Sequence, residues 1–214
     1  MKVSVLGSGV VGEVLANGFL KYGYEVMRAS RDPQKLNDWL KSAKGKPSTG
    51  DFKKAAQWGD VVVLAVKGSV AEDVIKSIGN ENLKRKTIID ATNPIAEKPP
   101  VNGVLQFFTD INFSLMERLQ QIAPDGNFVK AFSCVGNAFM INPDFSGTKP
   151  TMFISGNSDS AKGTVTEILT QFGWETEDMG KAEAARAIEP LCMLWCLPGF
   201  SKNQWSHAFK MLKK

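Results

Sequence analysis

Short apolar runs alternate with amphipathic stretches through the first half of this chain. Met1 to Leu6, with Val3-Ser4-Val5-Leu6 at its centre, predicts a short buried strand. Val10, Val11, Val14, Leu15, Gly18 and Phe19 recur at helical spacing and predict a helix over Val10 to Tyr22. Tyr24 to Ala29 predicts a second strand, Gln34 to Lys41 a helix and Asp51 to Trp58 a shorter one. Asp60 to Val66 is a continuous apolar run with β-branched residues, the pattern of a parallel strand covered on both faces. A helix over Ser69 to Ile78 and a strand over Thr87 to Ala91 continue the alternation. Such an order predicts an α/β fold, a doubly wound and mostly parallel sheet whose ligands bind outside the carboxyl ends of the strands.

The second half is less regular. Ile95 to Asn112 carries Pro99, Pro100 and Gly103 and predicts a long irregular loop, with Phe107 and Phe108 either covering a flat ligand or anchoring the loop. A helix over Phe113 to Ile122 and a strand over Phe128 to Phe132 follow. After an Asn/Gly/Pro-rich connection from Asn137 to Pro150 come a strand at Thr151 to Ser155, a helix at Asp159 to Phe172 and a short strand at Trp174 to Glu177. Lys181 to Leu212 is expected to be helical, interrupted by Pro190 and Pro198.

The turn after the first strand reads Gly7-Ser8-Gly9-Val10-Val11-Gly12. Glycine-rich turns are common, but this one has a strand before it and a helix after it, the context of a Rossmann dinucleotide site. Gly7 lets the chain turn tightly, Gly9 lets the backbone approach a pyrophosphate and Gly12 lets the helix pack close to the strand. Ser8, Gly9, Val10 and Val11 open the helix, whose free N–H groups and dipole favour phosphate. At the end of the second strand, where an NAD enzyme carries Asp or Glu for the ribose 2′-hydroxyl, this chain has Ala29-Ser30-Arg31. A hydroxyl and a guanidinium accept a 2′-phosphate that an acid would repel, so NADP(H) is the expected cofactor, with Lys35 adding charge. The other expected strand ends are Ala65, Val66, Lys67 and Gly68, and Ala91 to Pro94, where Asn93 offers an amide and Pro94 stiffens the turn. Ala65, Val66, Lys67, Asn93 and Pro94 are expected to flank the nicotinamide and its ribose. The boundary is placed near Asp125-Gly126, giving an NADP-binding unit over residues 1–126 and a small carboxyl-terminal α/β unit over 127–214 for acceptor binding or dimerisation.

Composition narrows the classes. The 214 residues are 43% hydrophobic and 22% charged, with net charge +4, an ordinary globular balance. The lysines are too scattered for a nucleic-acid footprint. No stretch is long and apolar enough to cross a bilayer, and the apolar amino terminus is accounted for by the first strand, so a cytoplasmic location is expected. The three cysteines suit a reducing compartment. Cys192 and Cys196 fall on one helix face without a second Cys or His pair to complete a metal site, so they are read as packing and no metal is expected.

Four pieces of the chain resemble the NADP-dependent oxidoreductases that use the deazaflavin coenzyme F-420. They are the Gly7 to Gly12 turn with Ser30-Arg31, the strand end Asp90-Ala91-Thr92-Asn93-Pro94, the strand Val129-Lys130-Ala131-Phe132, and the stretch from Asp178-Met179-Gly180 through Ala184 to Pro190. The resemblance runs over essentially the whole chain. It implies hydride transfer between NADPH and a flavin or deazaflavin ring stacked on the nicotinamide, with Ala131 and Phe132 lining the acceptor side. Both reactants are then cofactors, and the protein supplies orientation and exclusion of water. One departure is Ser133, where the family often has Asn. Soluble domains of ferric and cupric reductases look similar in the nucleotide part. Two rival readings stay open: a reductase of imines or small carbonyl compounds related to pyrroline-carboxylate reductases, and a non-catalytic NADPH-sensing module. The expected partner is a small flavin-like molecule, with no nucleic acid and no membrane, and a homodimer is the default among symmetric oligomers.

The remaining candidates are read as structural. His207, the single histidine, is expected on the last helix within Trp205 to Phe209. Arg186 and Glu189, three apart, are expected to pair across a helix turn. Trp195 and Trp205 are assigned to core or subunit contacts.

Overall fold

The computed structural model describes residues 1–214. Its strands are β1 (Lys2–Leu6), β2 (Glu25–Ala29), β3 (Lys46–Gly50), β4 (Val61–Leu64), β5 (Thr87–Asp90), β6 (Asn127–Lys130), β7 (Thr151–Gly156) and β8 (Glu175–Asp178). They form one sheet in the order β3-β2-β1-β4-β5-β6-β7-β8. All neighbours are parallel except β6 and β7. The first six strands thus have the doubly wound Rossmann order, with the reversal between β1 and β4. The α-helices are α1 (Val10–Lys21), α2 (Asn37–Ser42), α3 (Phe52–Trp58), α4 (Gly68–Ile78), α5 (Asn80–Leu83), α6 (Leu115–Ile122), α7 (Asp159–Gln171), α8 (Ala185–Ile188) and α9 (Leu191–Lys202).

The apolar runs sort onto the two faces by the period of the strand. Val3, Val5, Val61, Val63, Ile89 and Val129 face α1 and α7 with Leu15, Phe19, Val165 and Phe172. Leu6, Val62, Leu64, Ile88 and Phe128 face α3, α4 and α6 with Ala55, Ile75, Leu115 and Leu119. The division expected at Asp125-Gly126 is no break in the sheet, because β6 pairs with β5 through Thr87–Asn127 to Asp90–Lys130. The first of these cores also runs on from Val3 to Met152 and Trp174.

Two expectations need correction. The segment 46–50 is a strand, β3, although its sequence Lys-Pro-Ser-Thr-Gly has no apolar alternation. It lies at the sheet edge, where Pro is tolerated and one neighbour's backbone suffices. The carboxyl-terminal helix is also shorter than expected. Pro190 does separate α8 from α9, but Pro198 lies inside α9, and the helix ends at Lys202 with Asn203 in the left-handed conformation. Residues 203–214 are not helical, and Thr151 N–H donates to Phe209 O at 2.9 Å, so the tail runs alongside β7. Trp205 Cζ3 would lie 2.3 Å from a Cβ on Gly199, so the indole packs flat on the helix as the chain turns back.

Candidate dinucleotide site

The crevice between the ends of β1 and β4 is closed by backbone. A Cβ on Gly7 would stand 2.2 Å from Ala65 O, and Gly7 has φ +154°. A Cβ on Gly12 would meet Gly7 O at 2.5 Å, so this glycine seats α1 on the turn itself. Gly9 differs: a Cβ there would meet nothing within 4 Å. The third face of the turn is open, Ser8, Gly9 and Val10 are exposed, and the N–H groups of Ser8 and Gly9 have no partner inside the protein. An oxyanion placed there meets free N–H groups and the positive end of a twelve-residue helix. The turn therefore fits a pyrophosphate.

The second strand end fits a 2′-phosphate. Ser30 is buried, with its N–H on Gly50 O at 3.2 Å and its Oγ accepting from Asp32 N–H at 3.3 Å. Asp32 caps the following 3₁₀ turn, its Oδ1 accepting from Gln34 N–H at 3.1 Å. Arg31 and Lys35 are exposed and pair with no carboxylate. We predict that Arg31→Ala weakens NADPH about tenfold or more and NADH hardly at all. Equal losses for the two dinucleotides in a fluorescence titration would remove Arg31 from the phosphate.

Across the crevice, Ala65 and Pro94 are buried, Val66 and Asn93 are half-buried, and Lys67 is exposed at the start of α4. Gly68 holds the two strand ends together, since a Cβ there would lie 1.9 Å from Asn93 O. Asn93 Nδ2 donates to Ser133 O at 2.8 Å, while Asn93 Oδ1 and Ser133 Oγ are buried without partners. Ala131 and Phe132 stand at the end of β6 as expected, but both are buried. Phe132 has φ +62°, strained for a bulky residue, and its ring centroid lies 6.3 Å from Phe172 in the core. It shapes the floor under this strand end and presents little side chain to the crevice. The loop over Ile95 to Asn112 is irregular but pinned by Phe108 N–H on Pro94 O (3.0 Å) and by isolated bridges such as Ile95–Phe107. Phe108 packs on the core face of α4 and α6 and acts as an anchor.

Beneath the strand ends lies a charged cluster that the sequence did not reveal as one unit. Lys130 Nζ sits 2.7 Å from Asp90 Oδ2, 2.9 Å from Glu189 Oε1 and 3.0 Å from Thr92 O, and all three charged side chains are buried. Asp90 Oδ1 also accepts from Thr92 N–H and Oγ. Glu189 accepts the N–H groups of Leu115 and Met116 at 3.0 Å each, so it caps α6 from a distant segment. Burial opposes the charge on Lys130, but Asp90 and Glu189 outweigh it and raise its pKa. Arg186 and Glu189 therefore do not pair with each other. Arg186 forks onto Glu117, with Nε at 3.1 and 3.0 Å from the two carboxylate oxygens. Both partners of the pair expected across one turn are taken by α6 and β6, which no helix-local rule foresees.

Glu117 also closes a capping box with Ser114. Burial resists its ionisation, but Arg186 and Ser114 outweigh burial and hold the carboxyl below its ordinary value of 4.5. A depressed acid stabilises the fold above its unfolded value, and that stabilisation is lost as pH falls through the folded one. We predict that the melting temperature falls below about pH 4.5, and that Glu117→Gln lowers it at pH 7 and flattens this acid limb. An unchanged limb would show that other carboxyls carry it.

His207 is not on a helix. Its Nε2 lies 2.9 Å from Trp195 O, Trp195 Nε1 donates to His207 O at 2.9 Å, and the rings stack at 5.0 Å. Trp205 leans on Trp195 at 5.7 Å. The histidine thus locks the tail onto α9. Cys192 is buried, and burial pushes the Cys134 thiol up to about 12. No helix is long and apolar enough to cross a membrane.

Residues 2–94 match the family model described as NADP oxidoreductase, coenzyme F420-dependent. A solved structure from Arthrobacter sp. FB24, proposed to be an F420-dependent NADP reductase, superposes with TM-score 0.92 over 100% of both chains at 26% identity. Metalloreductase STEAP3 of Rattus norvegicus is 26% identical over 92% of this chain, which spans 38% of that relative's length. A Streptomyces aurantiacus imine reductase shares the fold, with TM-score 0.67 and 18% identity over 93% of this chain and 62% of its own.

Proposed function

We propose, for a chain whose residues 2–94 match the NADP oxidoreductase, coenzyme F420-dependent family model, that it moves a hydride between NADP(H) and a flavin or deazaflavin ring. When bound, the reduced nicotinamide supplies the hydride. Ser8, Gly9 and Val10 bind the pyrophosphate, Ser30 and Arg31 the 2′-phosphate with Lys35 nearby, and Val66, Lys67, Asn93 and Pro94 flank the ribose and the ring. The observation that carries the reading is the state of the buried titratable groups beneath the strand ends, Lys67 being an exposed cation at the crevice mouth. Asp90, Lys130 and Glu189 are buried and spent on one another, with no proton to offer a developing alkoxide. Transfer to a flavin-like ring asks only for alignment and a dry site.

The test is anaerobic NADPH oxidation by the purified protein with F-420, FMN, FAD, riboflavin and a cyclic imine in parallel. Turnover with one of the ring acceptors is the expected result. Turnover with the imine alone would replace this reading by imine reduction, and tight NADPH binding without any turnover would replace it by an NADPH sensor.

A further inference from the structure

Arg28 is the fourth of the five residues of β2, paired in register with Val5 and Thr49 and 1% exposed. A strand covered on both faces calls for an apolar residue there, and a buried guanidinium is costly unless each donor finds an acceptor. Here each does. Nε donates to Gly7 O at 3.1 Å, Nη2 to Ser8 O at 3.0 Å and Gly9 O at 2.9 Å, and Nη1 meets Glu13 Oε2 at 3.1 Å. The plane lies over Trp39, 5.4 Å from the ring centroid. Three successive carbonyls of the turn thus point at one cation. In a trans peptide the N–H points opposite to its C=O, so the N–H groups that follow them turn away from Arg28. They turn towards the open side of Gly9.

We propose that Arg28 is a positioning residue for the dinucleotide pyrophosphate, which it serves by aiming the turn's N–H groups outward and placing a buried positive charge behind them, with Glu13 as a tempering counter-charge. The inference rests on the dinucleotide reading above. Arg28 touches no phosphate; it acts through the turn, as a prearranged anion nest with its own cation. Glu13 lies in the first turn of α1 with a half-exposed side chain, near enough to the site to repel phosphate. Because both nicotinamide dinucleotides carry a pyrophosphate, Arg28 governs affinity for either, whereas Arg31 discriminates between them.

Fluorescence titrations of NADPH and NADH against wild type, Arg28→Lys, Arg28→Met and Glu13→Gln, at low and high salt, test this. Arg28→Lys keeps the charge but not the fork, and is expected to weaken both dinucleotides by the same factor, on the order of tenfold. Glu13→Gln is expected to tighten both severalfold at low salt, with the gain shrinking at high salt. A purely structural role for the pair gives the opposite sign, since loss of Glu13 would loosen Arg28 and weaken binding. Weaker binding by Glu13→Gln, a changed NADPH/NADH ratio in Arg28→Lys, or unchanged affinity in Arg28→Lys would each overturn the proposal. If Arg28→Met does not fold, the other two variants decide. Wild type binding neither dinucleotide would instead bring down the reading of the site itself.

Discussion

Lys130→Met lowers the free energy of unfolding by about 3–5 kcal/mol, the largest loss we expect from any single substitution of a polar side chain here. The ammonium is the only cation facing two fully buried carboxylates, Asp90 and Glu189. Removing it leaves both charges in the interior, where each is costly unless paired. Methionine fills most of the volume, so the loss is electrostatic rather than a cavity. The partial relief is known in advance: Glu189 keeps two N–H donors at the start of α6, and Asp90 keeps Thr92. Function suffers by a separate route. Lys130 also fixes Thr92 O, one residue before Asn93 at the crevice. The expected result is a denaturation midpoint shifted well to lower urea, together with a raised KM for NADPH in whatever fraction stays folded. A loss under about 1 kcal/mol would mean that water reaches the cluster and screens it.

The way this cluster is assembled explains what was legible in the sequence. The Gly7 to Gly12 turn, Ser30-Arg31 at its strand end and the alternation that gives β1, β2, β4 and β5 could be read because each depends on residues close together in the chain. A period of two, a glycine at a tight approach and a residue type at a strand end are local signals. Arg28 and the Lys130 cluster could not be read that way. Arg28 is one polar residue in an apolar run, and its partners Gly7 to Glu13 become neighbours only when β1 and β2 pair. Lys130, Asp90 and Glu189 come from β6, the end of β5 and the segment before α9. A charged residue inside a strand predicted to be covered on both faces was the available signal for both. β3 and the tail after Lys202 failed for the opposite reason: their order comes from a neighbour's backbone, which leaves little trace in side-chain pattern.

Two glycines of the turn, Gly7 and Gly9, should separate folding from binding. Gly9→Ala is expected to leave stability within about 1 kcal/mol of wild type, since its backbone is ordinary for any residue (φ −79°, ψ 177°) and its Cβ would meet nothing within 4 Å. That empty space is where the phosphate must come closest, so the methyl should weaken NADPH and NADH together by about a hundredfold, or ~2.7 kcal/mol. Gly7→Ala carries a different penalty. Its methyl would stand 2.2 Å from Ala65 O, and φ +154° lies outside the range open to side chains. β1 and β4 must then separate at the point where the sheet reverses, so the melting temperature and the affinity fall together. Parallel melts and titrations of the two variants check this. Were Gly9→Ala to bind as tightly as wild type, the pyrophosphate would have to lie elsewhere than on this turn, and the open N–H groups of Ser8 and Gly9 would lose their assignment. Were Gly7→Ala to fold as stably as wild type, β1 and β4 would have slack that the 2.2 Å approach denies them, and the turn would owe its shape to Arg28 rather than to the crossing of the strands.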